Sequence, residues 1–114
     1  MTLDQLLDYC LAKPGAWTDR PFGDDLVVKV AEKIFAFTNE DVVAVKCGGS
    51  RQDDPSADEW LRQYPEDATV MAYLGRSGWN SLRLRGTIPD LELRDAVDTS
   101  YELVVARLPR SRRP

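Results

Sequence analysis

Histidine is absent from this sequence of 114 residues, and cysteine occurs only twice. The lack of histidine excludes Ser-His-Asp and Cys-His catalytic centres, His-ligated metals and the usual proton shuttle at neutral pH. The two cysteines, Cys10 and Cys47, form no CxxC motif, so neither a disulfide framework nor a zinc site is indicated. We therefore expect a protein that is not an enzyme and that uses no cofactor or metal.

Long apolar runs are also missing. The longest, such as LVVA at 103–106, are far too short to cross a bilayer. Met1 leads directly into an amphipathic segment instead of a basic stretch followed by an apolar signal core, so we expect a cytoplasmic protein.

With 43% hydrophobic and 30% charged residues, the composition is that of a globular domain. We assign residues 1–108 to one domain and 109–114 to a flexible basic tail.

Charge is distributed unevenly along the chain. Residues 1–70 carry 7 Lys and Arg against 14 Asp and Glu, whereas residues 71–114 carry 8 against 5. The net charge of −4 therefore conceals a basic C-terminal part.

Three segments have helical patterns. Thr2 and Gln5 form a capping box before a periodic apolar segment that ends at Pro14, and Ser56 with Glu59 predicts a second capping box before a short helix. The last helix is predicted to start at Pro89-Asp90 and to end near Arg107. Its predicted buried stripe consists of Leu93, Val97, Tyr101, Val104 and Leu108.

Five strands are predicted, over 26–30, 33–37, 42–46, 69–74 and 79–85, while 16–25 is expected to be irregular. A turn at Ala31-Glu32 would place Val30 opposite Lys33, Val28 opposite Phe35 and Leu26 opposite Phe37, which puts the larger apolar groups on one face. In the strand over 42–46, Val43 and Val45 should face the core and Lys46 the other side. In the last strand Leu82 and Leu84 should face the core, which sends Trp79, Arg83 and Arg85 to the other side. Asn80 shares the core-facing parity, and we expect backbone groups to satisfy its amide.

Two long amphipathic helices at the chain ends require a common apolar surface, which a meandering antiparallel sheet can supply. The predicted fold class is α+β, a two-layer sandwich in the order α-β-β-β-α-β-β-α. The N- and C-terminal helices would pack on one face of about five antiparallel strands. The other face would stay open.

With that order of elements, the chain resembles the MmcQ/YjbR-like family of small bacterial proteins. The resemblance rests on five segments in order: CLAKPGAWTDRPFGDDLVVKV, KIFAF, VVAVKC, YLGRSGWNSLRL and SYELVVARL. It implies a fold similar to that of bacterial frataxin. It also implies DNA binding, which in this family is attributed to a double-wing arrangement of β-hairpins.

We therefore predict that the open sheet face binds DNA weakly and in a salt-sensitive manner. Cationic groups would contact phosphates, and Trp79 would offer a stacking surface. Neutralising four phosphates would give a slope of log affinity against log salt of about −3.6. The candidate nucleic-acid-binding residues are Lys29, Lys46, Trp79, Arg83, Arg85, Arg107 and Arg110.

Several alternatives remain open at this stage. In one alternative, the same charges only keep an exposed sheet soluble. In another, the open face docks a protein partner or a second copy of the chain. Of these states we expect the monomer. Asp4 and Asp8, one helical turn apart, suggest a metal site only through the similarity to frataxin, and such pairs more often form a wet helix face. The CGGSR segment lacks the phosphate-loop consensus and predicts a sharp turn.

Overall fold

The computed structural model describes every residue from Met1 to Pro114. Three helices lie on one face of a single six-stranded antiparallel sheet, which confirms the predicted α+β class. The elements in chain order are α1 (Leu3–Leu11), β1 (Ala16–Asp19), β2 (Val27–Val30), β3 (Lys33–Thr38), β4 (Val42–Lys46), α2 (Ser56–Gln63), β5 (Ala68–Val70), β6 (Trp79–Arg83) and α3 (Asp90–Ala106). Single turns of 3₁₀-helix follow β5, at Gly75–Ser77, and α3, at Arg110–Arg112.

The helices begin and end close to their predicted limits. The capping box at Thr2 and Gln5 is confirmed, with both reciprocal hydrogen bonds present. The second capping box is wrong, because Ser56 is already the first residue of α2. Its backbone N–H donates to Asp54 Oδ1 at 2.9 Å, so the carboxylate before the helix satisfies the end that Ser56 was expected to cap.

Strand β1 falls in the segment that was expected to be irregular. It pairs with β2 over its whole length, from Ala16 opposite Val30 to Asp19 opposite Val27. Its four residues, AWTD, show no apolar alternation, and none of them is fully buried. An edge strand of this kind forms mainly because it pairs with its neighbour, so its composition gives little sign of it. The sheet therefore has six strands where about five were predicted.

The order of strands across the sheet is β1-β2-β3-β4-β6-β5. The meander therefore ends at β4, and β6 enters between β4 and β5 as a central strand. Both β4 and β5 run antiparallel to β6, so they are parallel to each other and connected through α2. Strand β5 ends at Val70, earlier than predicted, and Tyr73 then turns the chain with a φ of 67°.

A β-bulge changes the predicted register of the β2–β3 hairpin. Val30 does lie opposite Lys33 across the Ala31-Glu32 turn, but Val28 pairs with Ala36 and Val27 with Phe37. Phe35 is the extra residue of the bulge, and it packs in the core against Tyr101 of α3. The bulge reverses the predicted parity beyond it, so Ala36 joins the core and Phe37 contacts Trp79 on the opposite face.

Ser100 of α3 completes the sheet beside this bulge. Its hydroxyl donates to the Phe35 carbonyl at 2.6 Å and accepts from the Lys46 backbone N–H at 2.9 Å. Regular pairing between β3 and β4 extends only from Thr38 to Ala36, so the hydroxyl bridges the next position, where the ladder stops. All three groups are buried, and a helix side chain thus replaces water as the partner of two strand backbone groups.

The outer sheet face, away from the helices, is only partly open. Phe22 stacks on Phe37 with ring centroids 6.3 Å apart, and Phe37 meets Trp79 edge-on at 5.6 Å. Val27 and Ala44 are nearly inaccessible on this side. The loop around Phe22 and the segment 71–77 therefore cover much of the surface that was expected to be bare.

The C-terminal residues 109–114, for which a flexible basic tail was predicted, contact the domain. Arg112 pairs with Glu32 at 3.2 Å. Arg113 donates to the carbonyls of Leu108 and Ala106, both at 3.0 Å. These contacts connect the segment to the hairpin turn and to the end of α3.

Replacing Ser100 with alanine should destabilise the fold, since it leaves the Phe35 carbonyl and the Lys46 N–H buried without a partner. We expect a loss of about 1–3 kcal/mol in the free energy of unfolding, measured by urea denaturation. Thr99→Ala, an exposed neighbour on the same helix, should change stability by less than about 0.5 kcal/mol. Equal effects of the two substitutions would contradict the bridging role.

Candidate nucleic-acid interface

Lys29 is one of the predicted DNA-contacting cations, and strand β1 supplies it with partners. Its ammonium lies 2.7 Å from Asp19 Oδ2 and 5.0 Å from the centre of the Trp17 ring. The same contact lowers the pKa of the Asp19 carboxyl below its usual value, chiefly through the hydrogen bond from Lys29. This positive charge is therefore balanced within the sheet edge.

Arg83 and Arg85 face away from the core, as predicted, and both are exposed. Arg83 Nε lies 3.7 Å from Asp67 Oδ1, and Arg85 Nη2 lies 3.3 Å from Asp41 Oδ1. Solvent-exposed pairs of this kind are weak, but they reduce the positive potential near each guanidinium. Together with Lys29, these residues form separated ion pairs instead of a continuous cationic stripe.

Three cations that form no ion pair, Lys33, Lys46 and Arg107, lie together at the end of the sheet where β3 starts and β4 ends. A cleft of about 380 Å³ opens there, between the 3₁₀ turn at Gly75–Ser77 and the C-terminal end of α3. We call it the cationic cleft. It is lined by Lys33, Ile34, Lys46, Leu74, Ser77, Trp79, Val104 and Arg107. No carboxylate is among its lining residues.

Lys46 and Trp79 have the predicted parity but not the predicted exposure. Only 5% of Lys46 and 7% of Trp79 is accessible, because segment 71–77 covers this part of the outer face. The Lys46 ammonium donates to the Ser77 carbonyl. Burial and, secondly, the charge of Arg107 lower the pKa of Lys46, while Asp54 acts in the opposite direction. The expectation that Trp79 offers a stacking surface was wrong.

Arg107 is the C-cap residue of α3, and its exposed side chain lines the cleft beside Lys46. Arg110 is exposed and forms no ion pair, but it does not line the cleft. Lys33 does line it, although it was not among the predicted contact residues, because the predicted pairing only placed it opposite Val30. Lys33 lies directly after the hairpin turn, where side chains reach solvent, and this position was the feature of the sequence that indicated its exposure.

One wall of the cleft depends on a close contact between two glycine segments. Gly78 has a φ of +87°, and a Cβ there would lie 2.4 Å from the carbonyl oxygens of Gly48 and Gly49. The Cys47 N–H donates to the Gly78 carbonyl at 2.8 Å. Only glycine at position 78 allows both this φ and this approach, so the backbone of CGGSR packs directly against the turn that precedes β6.

Arg51, the last residue of that segment, holds the turn to the rest of the domain. Its guanidinium donates to the carbonyls of Gly75 and Trp79 and to Asn80 Oδ1, at 3.0, 3.2 and 2.7 Å, and it also pairs with Asp58. The Asn80 amide in turn donates to the Ala57 carbonyl at 2.9 Å. The prediction for Asn80 is therefore half right, because one of its partners is a side chain.

The acidic residues that suggested a metal site do not converge. No group of three or more His, Cys, Asp or Glu side chains is placed to hold a metal ion. Both cysteines are buried, and burial raises the pKa of each thiol to about 12.

A family model described as YjbR matches residues 11–103. The chain belongs to the YjbR family. Consistent with this, it is 34% identical to the Escherichia coli K12 protein described as "Uncharacterized protein YjbR", over 99% of this chain and 95% of that one. The same identity and coverage hold for the YjbR protein of Escherichia coli O157:H7.

Two crystal structures share the fold of this YjbR-family chain. Deinococcus radiodurans protein DR2400, with the family-model domain DUF419, superposes with a TM-score of 0.83 at 23% identity, covering 97% of this chain and 84% of that one. A Pseudomonas syringae protein gives a TM-score of 0.67 at 18% identity, covering 90% and 98%. At these identities the likeness concerns the fold alone.

None of the helices is long and apolar enough to span a membrane.

Arg51→Lys should loosen the wall of the cleft, because an ammonium cannot reproduce the planar fork that reaches four acceptors. We expect a loss of about 2 kcal/mol in the free energy of unfolding, measured in urea. Arg76→Lys, at an exposed neighbouring position, should change it by less than about 0.5 kcal/mol. A loss for Arg51→Lys no larger than that of the control would contradict the assigned role.

Asp54 should make stability depend on pH. Hydrogen bonds from Ser56 and Gly49 lower its pKa to about 2, from an ordinary value of 3.8. Because the folded state holds this proton less tightly, the stabilisation is complete above about pH 4 and is lost as the pH falls towards 2. Asp54→Asn should therefore lower the Tm most at neutral pH, and its difference from the wild type should shrink below pH 4. Asp53→Asn, which changes the same charge without these bonds, should show no such trend.

Proposed function

We propose that this protein is a weak DNA-binding protein, without enzymatic activity, that holds backbone phosphates in the cationic cleft. The observation that carries the proposal is the convergence of Lys33, Lys46 and Arg107 on one cleft without a lining carboxylate. By contrast, Lys29, Arg83 and Arg85 each face an acidic partner. The proposed contact thus moves from the middle of the outer sheet face to the end of the sheet.

The state of Lys46 favours an anionic ligand. Its ammonium is partly desolvated and lies close enough to Arg107 for their charges to repel, which lowers its pKa. A bound phosphate would offset both effects and raise that pKa. The ammonium uses one donor on the Ser77 carbonyl, so two donors remain for phosphate oxygens.

The shape of the site supports contact with the backbone instead of the bases. A volume of about 380 Å³ suits a phosphate and its sugar, and Trp79 is too buried to stack with a base. The proposed binding is therefore largely independent of sequence. Lys33 lies at the tip of the β2–β3 hairpin, which agrees with the hairpin-based binding that the family resemblance implies.

Docking of a protein partner or a second copy on the outer sheet face has less support. Such a surface would need Val27, Ala44 and Trp79 to be accessible, and all three are buried beneath loops of the same chain.

The proposal is tested with a labelled DNA duplex by fluorescence anisotropy, starting at about 50 mM salt. Three phosphate contacts predict a slope of log affinity against log salt of about −2.7. The double variant Lys33→Gln/Arg107→Gln should weaken binding and reduce the steepness of that slope by about 1.8.

Arg83→Gln/Arg85→Gln is the matched control, because it removes the same net charge from the outer face. It should leave the slope unchanged. If both double variants weaken binding equally, net charge alone is responsible and the cleft is not the site. If the wild type shows no binding at low salt, the proposed function is wrong.

A further inference from the structure

A second cleft, of about 330 Å³, lies on the outer sheet face near the opposite ends of β3 and β4. It has three aromatic side chains in its lining, from Phe22, Phe37 and Tyr73. We call it the aromatic cleft. Ala44 and Ser81 also line it, and the proposed DNA contact does not use it.

The aromatic side chains at this cleft are unusually accessible. Phe22 is 75% exposed and Tyr73 is fully exposed, whereas Phe37 is half-buried beneath Phe22. Burying a phenylalanine side chain stabilises a fold, and Phe22 forgoes most of this stabilisation because three quarters of it is exposed. Its position above Phe37 therefore contributes little to the core, but it presents an aromatic surface to the cleft.

The charge of the cleft has one sign. Asp25 is the only charged residue in its lining, which contains no lysine or arginine. Asp24 and Glu40 line a smaller cleft beside it, together with Arg20, whose guanidinium donates to the Asp24 carbonyl. The region is therefore acidic overall, in contrast to the cationic cleft.

We infer that the aromatic cleft binds an organic cation, in the form of an ammonium group that carries methyl or similar apolar substituents. Aromatic faces bear negative electrostatic potential and attract such cations within about 6 Å of the ring centre. Asp25 supplies the counter-charge, and the partly exposed Met71 adds an apolar contact. A bare metal ion is a poor fit, because one carboxylate falls well short of the oxygen ligands that Ca²⁺ or Mg²⁺ requires.

The test compares choline with 3,3-dimethylbutan-1-ol, a neutral compound of nearly the same shape. Binding is followed by NMR through the ring resonances of Phe22 and Tyr73 during a titration of the full chain. We expect choline to bind about tenfold more tightly than the alcohol. Equal affinities would reduce the cleft to an apolar groove and overturn the inference, as would the absence of binding by choline.

Two exposed positions allow the contact to be removed without disturbing the core. Phe22→Ala and Asp25→Asn should each weaken choline binding about fivefold. Leu91→Ala, an exposed apolar residue of α3 outside the cleft, and Asp24→Asn, which changes the same charge next to it, should leave binding unchanged. If Asp24→Asn weakens binding as much as Asp25→Asn, the interaction is a general charge effect and the assigned site is wrong. DNA binding is not required for either outcome.

Discussion

The bridge formed by the Ser100 hydroxyl is the interaction on which the rest of the structure depends. Beside the bulge at Phe35 the pairing of β3 with β4 stops, and a single helix side chain satisfies the two buried backbone groups that lack a strand partner. The same junction positions Phe35 against α3 and aligns Lys46 with the 3₁₀ turn. The helix layer, the sheet and the cationic cleft are therefore joined at one point.

The distribution of charge follows from that geometry. Cations along the strands lie opposite residues of neighbouring strands and turns, where carboxylates are available, as in the pair of Lys29 and Asp19. Cations at the end of the sheet lie between the helix terminus and a turn without acidic side chains, in a cleft whose lining contains no carboxylate. A net negative protein can in this way keep one local positive site, and its opposite end stays acidic around Asp25.

The sequence was sufficient for the elements that have strong periodicity. Helices α1 and α3, the Ala31-Glu32 turn and the core parity of β4 and β6 all followed from apolar spacing and capping residues. Strand β1 and the bulge were missed, because both depend on partners that are distant in space. One extra residue at Phe35 was enough to exchange the faces of Ala36 and Phe37. Within the site, the alternation of side chains along β4 correctly placed Lys46 on the outer face. Its burial depends on segment 71–77, whose path the apolar pattern does not reveal.

The insertion of β6 between β4 and β5 also constrains how the chain is made. During synthesis β4 leaves the ribosome before its partner β6. The backbone N–H and C=O groups along that edge of β4 therefore stay unpaired until residue 83 has emerged. Strand β5 emerges earlier but has no neighbour to join before then. Throughout this interval an apolar strand edge is accessible to other nascent chains, so the last third of the sequence protects the first two thirds from association.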